Sequence, residues 1–594
     1  GYNIAIGYEA GKEISTGVRN TILGGVAGDA LTTGSNNVAI GYQALTTEDT
    51  GNKSIAIGDS TLSQQNYDGD AHNIAIGHNA GENVSTGRYN LLFGSLAGDA
   101  LTTGSENIAI GYAALSTEDG NGKNIAIGTN ALEDLNAGAD AYNVAIGHDA
   151  GRNVSTGVNN TIVGGLTGDA LTTGTNNVAM GYGALGSEDT GGQNVAIGVN
   201  ALNTANYDGN GLNVAVGYGA GSAVTTGTLN TIIGGLAGDA LTSGAYNTAI
   251  GYQALGSEDA HGFNTAIGYL ALLTQDAGAD AYNVAVGSET GKNITTGVRN
   301  TIIGANAGDA LTTGQNNIAI GYKALTTEDT GSSNVAIGYE ALHTQDYNGH
   351  AYNVAVGFHA GVSVTTGIQN TILGGLAGDA LTTGSLNTAM GYEALSGEDT
   401  GNRNTAMGWR ALKALNYDGS AYNTAFGFSA GEAISTGLQN TIIGGLAGDS
   451  LTTGSNNVII GYNAAASAVD VQNEFTLGNS SIAALRCQVT SISSLSDKRD
   501  KKDIKDSTYG LDFVDSLKPV TFEWDQRDGN RSGIKDVGFI AQDLQEVDDE
   551  YTRLVYESNP DKLEATYGRL IPIMAKAIQE LSAEVKELKK QING

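Results

Sequence analysis

A five-residue motif, Asn-x-Ala-Ile-Gly, returns along this chain at a spacing that few folds can accommodate. Its closing glycine falls at Gly7, Gly24, Gly41, Gly58 and Gly77, at intervals of 17, 17, 17 and 19 residues. The same 70-residue cycle restarts at Gly147, Gly217, Gly287, Gly357 and Gly427, and the last of 27 units closes at Gly461. A unit this short cannot bury an apolar face alone, so each must stack on its neighbours. The expected fold is therefore mostly β: a repetitive parallel β-roll or solenoid shaft over residues 1–462, with coils grouped in fours. At a strand spacing of roughly 4.8 Å, such a stack makes a rod of about 130 Å.

Within each motif the second and fourth positions are mostly Val, Ile or Thr and then Ile, Val or Met, while the third is nearly always Ala. The exception is the second unit of each quartet, with Ile162, Ile232 and Ile302 as examples. Alternation of period two sends the large fourth residue to one side of a strand and the small third residue to the other. One side can fill the coil and the other can meet a second copy of the chain. Coils with Ile at the third position are expected to be wider, the adjacent glycine pair making room. Gly after the strand and Asn before it suit tight corners with left-handed backbone angles.

The array is the polyanion of the chain: residues 1–464 hold 39 acidic and 12 basic side chains, the remainder 23 and 17. That surface repels DNA, RNA and anionic membranes, so no nucleic-acid partner is expected. No apolar run reaches membrane-spanning length, so no membrane insertion is expected, and no signal peptide is visible. The chain opens inside a repeat unit, as a piece of a longer protein would. The lone cysteine, Cys487, excludes an internal disulfide framework. Stability must then come from packing or from assembly.

Several motifs in the array invite a ligand. Gly-Gly-Val-Ala-Gly-Asp-Ala at 24–30 has the look of a phosphate loop, but it recurs in most quartets and lacks the terminal lysine. It also misses the glycine-aspartate spacing of calcium-binding β-rolls by one residue. Asp68 and Asp70 in the corner Asn-Tyr-Asp-Gly-Asp-Ala-His-Asn offer the carboxylates that Ca2+ prefers, although aspartates at corners more often serve the turn. No other cofactor is expected. An aromatic or His residue follows many strand glycines, including Tyr8, Tyr42, His78, Tyr112, His148, Tyr182, Tyr218 and Tyr252. Stacked coils align these into a surface ladder that stabilises the stack or binds sugars.

Past Gly461 the repeat fades into a β-rich junction, residues 463–495. All three prolines (Pro519, Pro560, Pro572) then appear, with Trp524, as in an ordinary compact domain. Residues 507–517 read as a helix, Pro-Val-Thr-Phe-Glu-Trp and Asp-Val-Gly-Phe-Ile-Ala as strands around the turn Asp-Gly-Asn-Arg-Ser-Gly, and about 568–592 as a terminal helix. On that last helix Ile571, Met574, Ile578, Leu581, Val585, Leu588 and Ile592 alternate spacings of three and four. This is a heptad seam, the mark of a parallel coiled coil. β-Branched residues at one seam position and Leu or Met at the other lean towards two strands.

Two resemblances bear on function. The Asn-x-Ala-Ile-Gly units resemble the head repeats of YadA-like trimeric autotransporter adhesins, left-handed β-rolls with a shorter coil. The ordered motifs Ser-Leu-Ser-Asp-Lys-Arg-Asp-Lys-Lys-Asp-Ile, Leu-Lys-Pro-Val-Thr-Phe-Glu-Trp, Val-Gly-Phe-Ile-Ala-Gln-Asp-Leu and Arg-Leu-Ile-Pro-Ile-Met-Ala-Lys-Ala-Ile resemble the C-terminal intramolecular chaperone of phage tailspikes, tail fibres and endosialidases. That resemblance implies a trimer instead of two strands, and a domain over residues 496–594 that directs folding of the β-rich fibre and then cuts itself off. Carried over, Ser496 is the nucleophile and Lys501 its base, Asp497 and Arg499 also match, and the scissile bond is Leu495–Ser496. Asp536 stands where the family commonly has a histidine, and Asp543 where Glu is usual. Lys498, Arg499, Lys502 and Lys505 crowd Lys501, and cationic neighbours lower the pKa of a lysine.

The reading that joins these observations is a homotrimeric phage tail fibre or tailspike. It would be assembled in the host cytoplasm, carried on the virion by an upstream attachment protein, and directed at a glycan or protein receptor on the host surface. Its chemistry would be at most a single-turnover serine auto-endopeptidase. One alternative is a trimeric adhesin on a bacterial surface, against which the polar ending Lys-Lys-Gln-Ile-Asn-Gly speaks, since such adhesins end in a membrane barrel. Another is a polysaccharide-degrading tailspike, but no stretch departs from the repeat enough to supply a paired-carboxylate cleft.

Overall fold

The computed structural model describes residues 1–482, 484–486, 488, 495–526, 532–557 and 559–594. Cys487, part of the expected junction and most of the Asp-Gly-Asn-Arg-Ser-Gly turn lie outside these residues. The chain forms two compact units, Gly1–His359 and Ala360–Gly594. The first consists of coils, each with one three-residue strand, from β1 (Ile4–Ile6) to β21 (Val354–Val356). The second runs from β22 (Thr371–Leu373) to β28 (Phe475–Leu477) and continues into a small α/β region.

The coil strands pair in parallel without slippage: Val38, Ala39 and Ile40 stand opposite Ile55, Ala56 and Ile57. The fold is thus a parallel β-solenoid whose 17- and 19-residue coils follow the sequence period. It has 28 strands, one more than the motif count. The additional strand, β28, lies in the stretch read as a β-rich junction and pairs in register with Val458–Ile460.

In each buried coil the middle strand residue is enclosed and its neighbours are half-buried or exposed, as at Val38–Ile40 and Ile55–Ile57. The small third motif residue therefore lines the coil and the large second and fourth residues form the outer face. Where Ile replaces Ala, room comes from glycines other than the expected pair. A Cβ on Gly11 would lie 2.9 Å from Ile22 Cδ1, and one on Gly28 3.3 Å from it. The strand-ending glycines answer a different need. At Gly41, φ is +134° and a Cβ would lie 2.1 Å from the Gly58 carbonyl oxygen in the next coil, so only glycine permits this stacking.

The motif asparagine is not a left-handed corner residue. That conformation belongs to the residue before it, Arg19 (φ 60°) ahead of Asn20 and Asn36 (φ 61°) ahead of Asn37. The asparagines instead form a buried ladder. Asn20 Oδ1 accepts from Asn37 N–H at 2.9 Å, and Asn20 Nδ2 donates to the Gly34 carbonyl at 2.8 Å. Buried amides are costly to leave unpaired, and stacking supplies the ladder with backbone partners from the next coil, although Asn264 Nδ2 and Asn334 Nδ2 find none among the described residues. At the far end Glu474 takes the place of Asn, its N–H donating to Asn457 Oδ1 at 2.9 Å.

The C-terminal region comprises α1 (Leu511–Ser516), the antiparallel pair β29 (Val520–Glu523) and β30 (Lys535–Gly538), α2 (Ala541–Gln545), the short strands β31 (Val555–Tyr556) and β32 (Glu564–Ala565), and α3 (Leu570–Asn593). Leu544, Leu554, Val555, Leu570 and Ile573 form its core. α1 is shorter than the expected 507–517. It begins where Leu511 N–H donates to Glu580 Oε2 of α3 at 2.7 Å, and a side chain on Gly510 would strike that carboxylate. Pro572 sits in the first turn of α3, where no backbone donor is required. Among the described residues no helix is long and apolar enough to cross a membrane.

Candidate functional site

A single 3-10 turn, Lys498–Asp500, follows Ser496 and folds the basic cluster back on itself. Asp497 caps it: its carboxylate accepts from Arg499 N–H at 2.9 Å and pairs with the Arg499 guanidinium at 2.6 Å. That pairing holds the Asp497 carboxyl below the ordinary carboxylate range. Lys501 N–H returns to the Lys498 carbonyl at 3.2 Å. The turn thereby brings the Lys501 ammonium to Ser496, where Nζ donates to Oγ at 2.5 Å and reaches the Ser496 carbonyl at 3.4 Å. The cluster is exposed, and Leu495, on the other side of the expected scissile bond, is 99% exposed.

This arrangement puts a hydroxyl beside an amine with the preceding peptide bond open to solvent. A serine becomes a nucleophile when a base accepts its proton, and among the described residues only Lys501 is hydrogen-bonded to Ser496 Oγ. Asp497 and Arg499 shape the turn. Asp536 lies on β30, its carboxylate accepting from Trp524 Nε1 at 3.2 Å and from Val537 N–H at 2.9 Å.

The heptad residues of α3 are left uncovered, from 40% exposure at Val585 to 80% at Ile592, with Ile571, Met574, Ile578, Leu581 and Leu588 between. The stripe one residue earlier, Leu570, Ile573 and Ala577, is the one that packs into the domain. A single helix thus carries two apolar faces, one used within the chain and one free.

Asp68 and Asp70 are both engaged, Asp68 accepting from Thr50 Oγ1 at 2.6 Å and Asp70 from Lys53 Nζ at 2.6 Å. The ladder of aromatics after the strand glycines forms in short stacks such as Tyr252–Tyr269 and Tyr322–Tyr339–Phe358, with their rings on the surface. Sequence reasoning missed Glu580, whose signal is a charged residue facing the glycine before α1. It also missed Asp548, which accepts from Leu554 and Val555 N–H at 2.7 and 3.0 Å and fixes the approach to β31.

No curated protein and no solved structure matches the chain. The family model described as chaperone of endosialidase matches residues 496–555, beginning at Ser496. The chain therefore joins a long parallel β-solenoid to a C-terminal segment similar to the chaperone of endosialidase.

Proposed function

We propose that this chain is the shaft and assembly domain of a homotrimeric phage tail fibre or tailspike. The observation that carries this reading is the order along the chain: a solenoid followed directly by a match to the endosialidase chaperone. Pairing three copies of a fibre built from non-local contacts is slow and leaves strand edges open, so registering the chains at one end first removes the largest entropic barrier. The free heptad face of α3 is suited to that registration. The exposed aromatic stacks are the surface offered to a host glycan.

Release of the domain follows assembly in this reading. Lys501 acts as the base that takes the proton of the Ser496 hydroxyl. Ser496 Oγ then attacks the Leu495 carbonyl carbon, forming an ester while the Leu495–Ser496 C–N bond breaks and the freed nitrogen takes the proton. Water hydrolyses the ester, leaving a carboxylate on Leu495 and the hydroxyl on Ser496. The mass of the purified chain tests this directly. Wild type is expected to split after Leu495, whereas Ser496→Ala and Lys501→Ala each stay whole and still trimerise, because neither residue lies on the seam. Loss of either group costs orders of magnitude in rate. Intact wild-type trimers after days would remove the peptidase role, and Asp536→His would then test whether the departure at that position is responsible.

A further inference from the structure

The array buries a glutamate once per 70-residue repeat, at Glu48, Glu118, Glu188, Glu258, Glu328 and Glu398. In four repeats the residue three positions on is glycine, and its N–H donates to the glutamate Oε1 at 2.6 Å (Gly51, Gly191, Gly331, Gly401). The other oxygen accepts from a tyrosine N–H in the next coil at 3.2 to 3.4 Å. Each carboxylate is thereby satisfied. The fit is tight, because a Cβ on those glycines would lie 2.3 to 2.6 Å from the carboxylate.

Two repeats break the pattern. Asn121 loosens the backbone bond to 3.1 Å but repairs it with its own amide, Nδ2 donating to Glu118 Oε1 at 2.9 Å. His261 loosens the bond to 3.2 Å and makes no such repair. Its Nδ1 lies 3.4 Å from Glu258 Oε1, outside hydrogen-bonding alignment, and is buried without a partner, as is Glu258 Oε2. Unpaired buried polar atoms are costly and need an explanation. Asp259, and Asp276 from the next coil, bring exposed carboxylates to the same place, and one potential ligand atom from each of the four residues lies within 4.8 Å of the others. A similar grouping at Glu328, Asp329 and Asp346 has no histidine, and both oxygens of Glu328 are already bonded.

We propose that Glu258, Asp259, His261 and Asp276 form a site for a divalent transition-metal ion, on one repeat of the shaft. An imidazole nitrogen with three carboxylates suits Zn2+, Co2+ or Ni2+ better than the all-oxygen shells that Ca2+ and Mg2+ prefer. Metal–ligand bonds of about 2.0–2.2 Å require the four groups to close slightly around the ion. Asp259 and Asp276 are free to move on the solvent side, while Glu258 and His261 form the floor. The ion would partner both orphaned atoms and cross-link two successive coils.

The test is titration of the full-length, chelator-treated protein with Co2+ and then Zn2+. One Co2+ per chain is expected, with visible d–d absorption that Zn2+ abolishes. His261→Gly restores the residue of four sibling repeats and is therefore expected to fold. It and Asp276→Asn should each weaken binding on the order of tenfold or more, and His261→Gly should lose the imidazole-dependent spectrum. Absence of saturable Co2+ or Zn2+ binding would reduce the cluster to a His–Glu ion pair and overturn the proposal. Binding that His261→Gly leaves unchanged would do the same, by locating the ion among the other six histidines of the chain.

Discussion

Asn230 shows what one side chain does in this fold. Buried in the stack, it accepts from Asn247 N–H at 2.9 Å and donates to the Gly244 carbonyl at 2.9 Å, both in the next coil. Asn230→Ala strands both backbone groups, each at a cost of about 1–3 kcal/mol. The urea midpoint of the shaft should fall accordingly, while an exposed neighbour such as Thr226→Ala should leave it nearly unchanged. The buried glutamates make a second prediction at this scale. Burial pushes Glu328 and Glu398 up to about 7, against the pull of their backbone N–H donors. A carboxyl whose folded pKa lies above its unfolded value binds more protons in the folded state, so its contribution is fully present below about 4.5 and is lost as pH rises towards 7. Thermal stability should therefore decline between about pH 4.5 and 7, and the slope should lessen in Glu328→Gln/Glu398→Gln. An unchanged slope would show that these carboxyls are not the groups responsible.

Among the elements, α1 depends most on a distant residue. Glu580 of α3 accepts from Leu511 N–H, and this hydrogen bond holds its carboxyl below the usual range. A carboxylate near a helix N-terminus satisfies an orphan donor and complements the helix dipole. Glu580→Ala should therefore speed amide exchange over Leu511–Ser516 while α3 stays protected, since Leu570, Ile573 and Ala577 hold α3 in place. Gly510→Ala should act in the same direction by driving the glutamate away. Equal protection of α1 in wild type and both variants would mean that Phe513 and Val514, packed on the core, suffice to hold it.

For the whole molecule, the proposed trimer rests on two uncovered apolar faces: the heptad seam of α3 and the outer residues of the solenoid strands. Ile578→Asp with Leu581→Asp puts charge on the seam without touching the stripe buried in the domain. Light scattering should then report monomer or aggregate where the wild type gives three times 60.5 kDa before cleavage. Deleting residues 496–594 before expression should give insoluble or non-trimeric shaft. Soluble, thermostable trimers from that deletion would remove the chaperone role.

The sequence by itself determined the parallel solenoid, its coil lengths, the placing of Ala and of Val or Ile on opposite sides of each strand, and the heptad seam. All of these are periodicities, and a period belongs to the chain before it folds. Tertiary structure decided that Ala is the inward side and which partners each periodic residue meets. Stacking turned the motif asparagine from a corner residue into a rung, and assigned the room for Ile22 to Gly11 and Gly28 instead of Gly24 and Gly25. It also paired β28 with the last motif strand, put Glu474 just ahead of it into the asparagine ladder, and brought Asp276 to His261 from the following coil. Such contacts join residues one coil apart, so they depend on the rise and register of stacking, which no window of local sequence contains. The approach of Lys501 to Ser496 is the local exception: the family motif named the pair, and a 3-10 turn capped by Asp497 brought the two groups together.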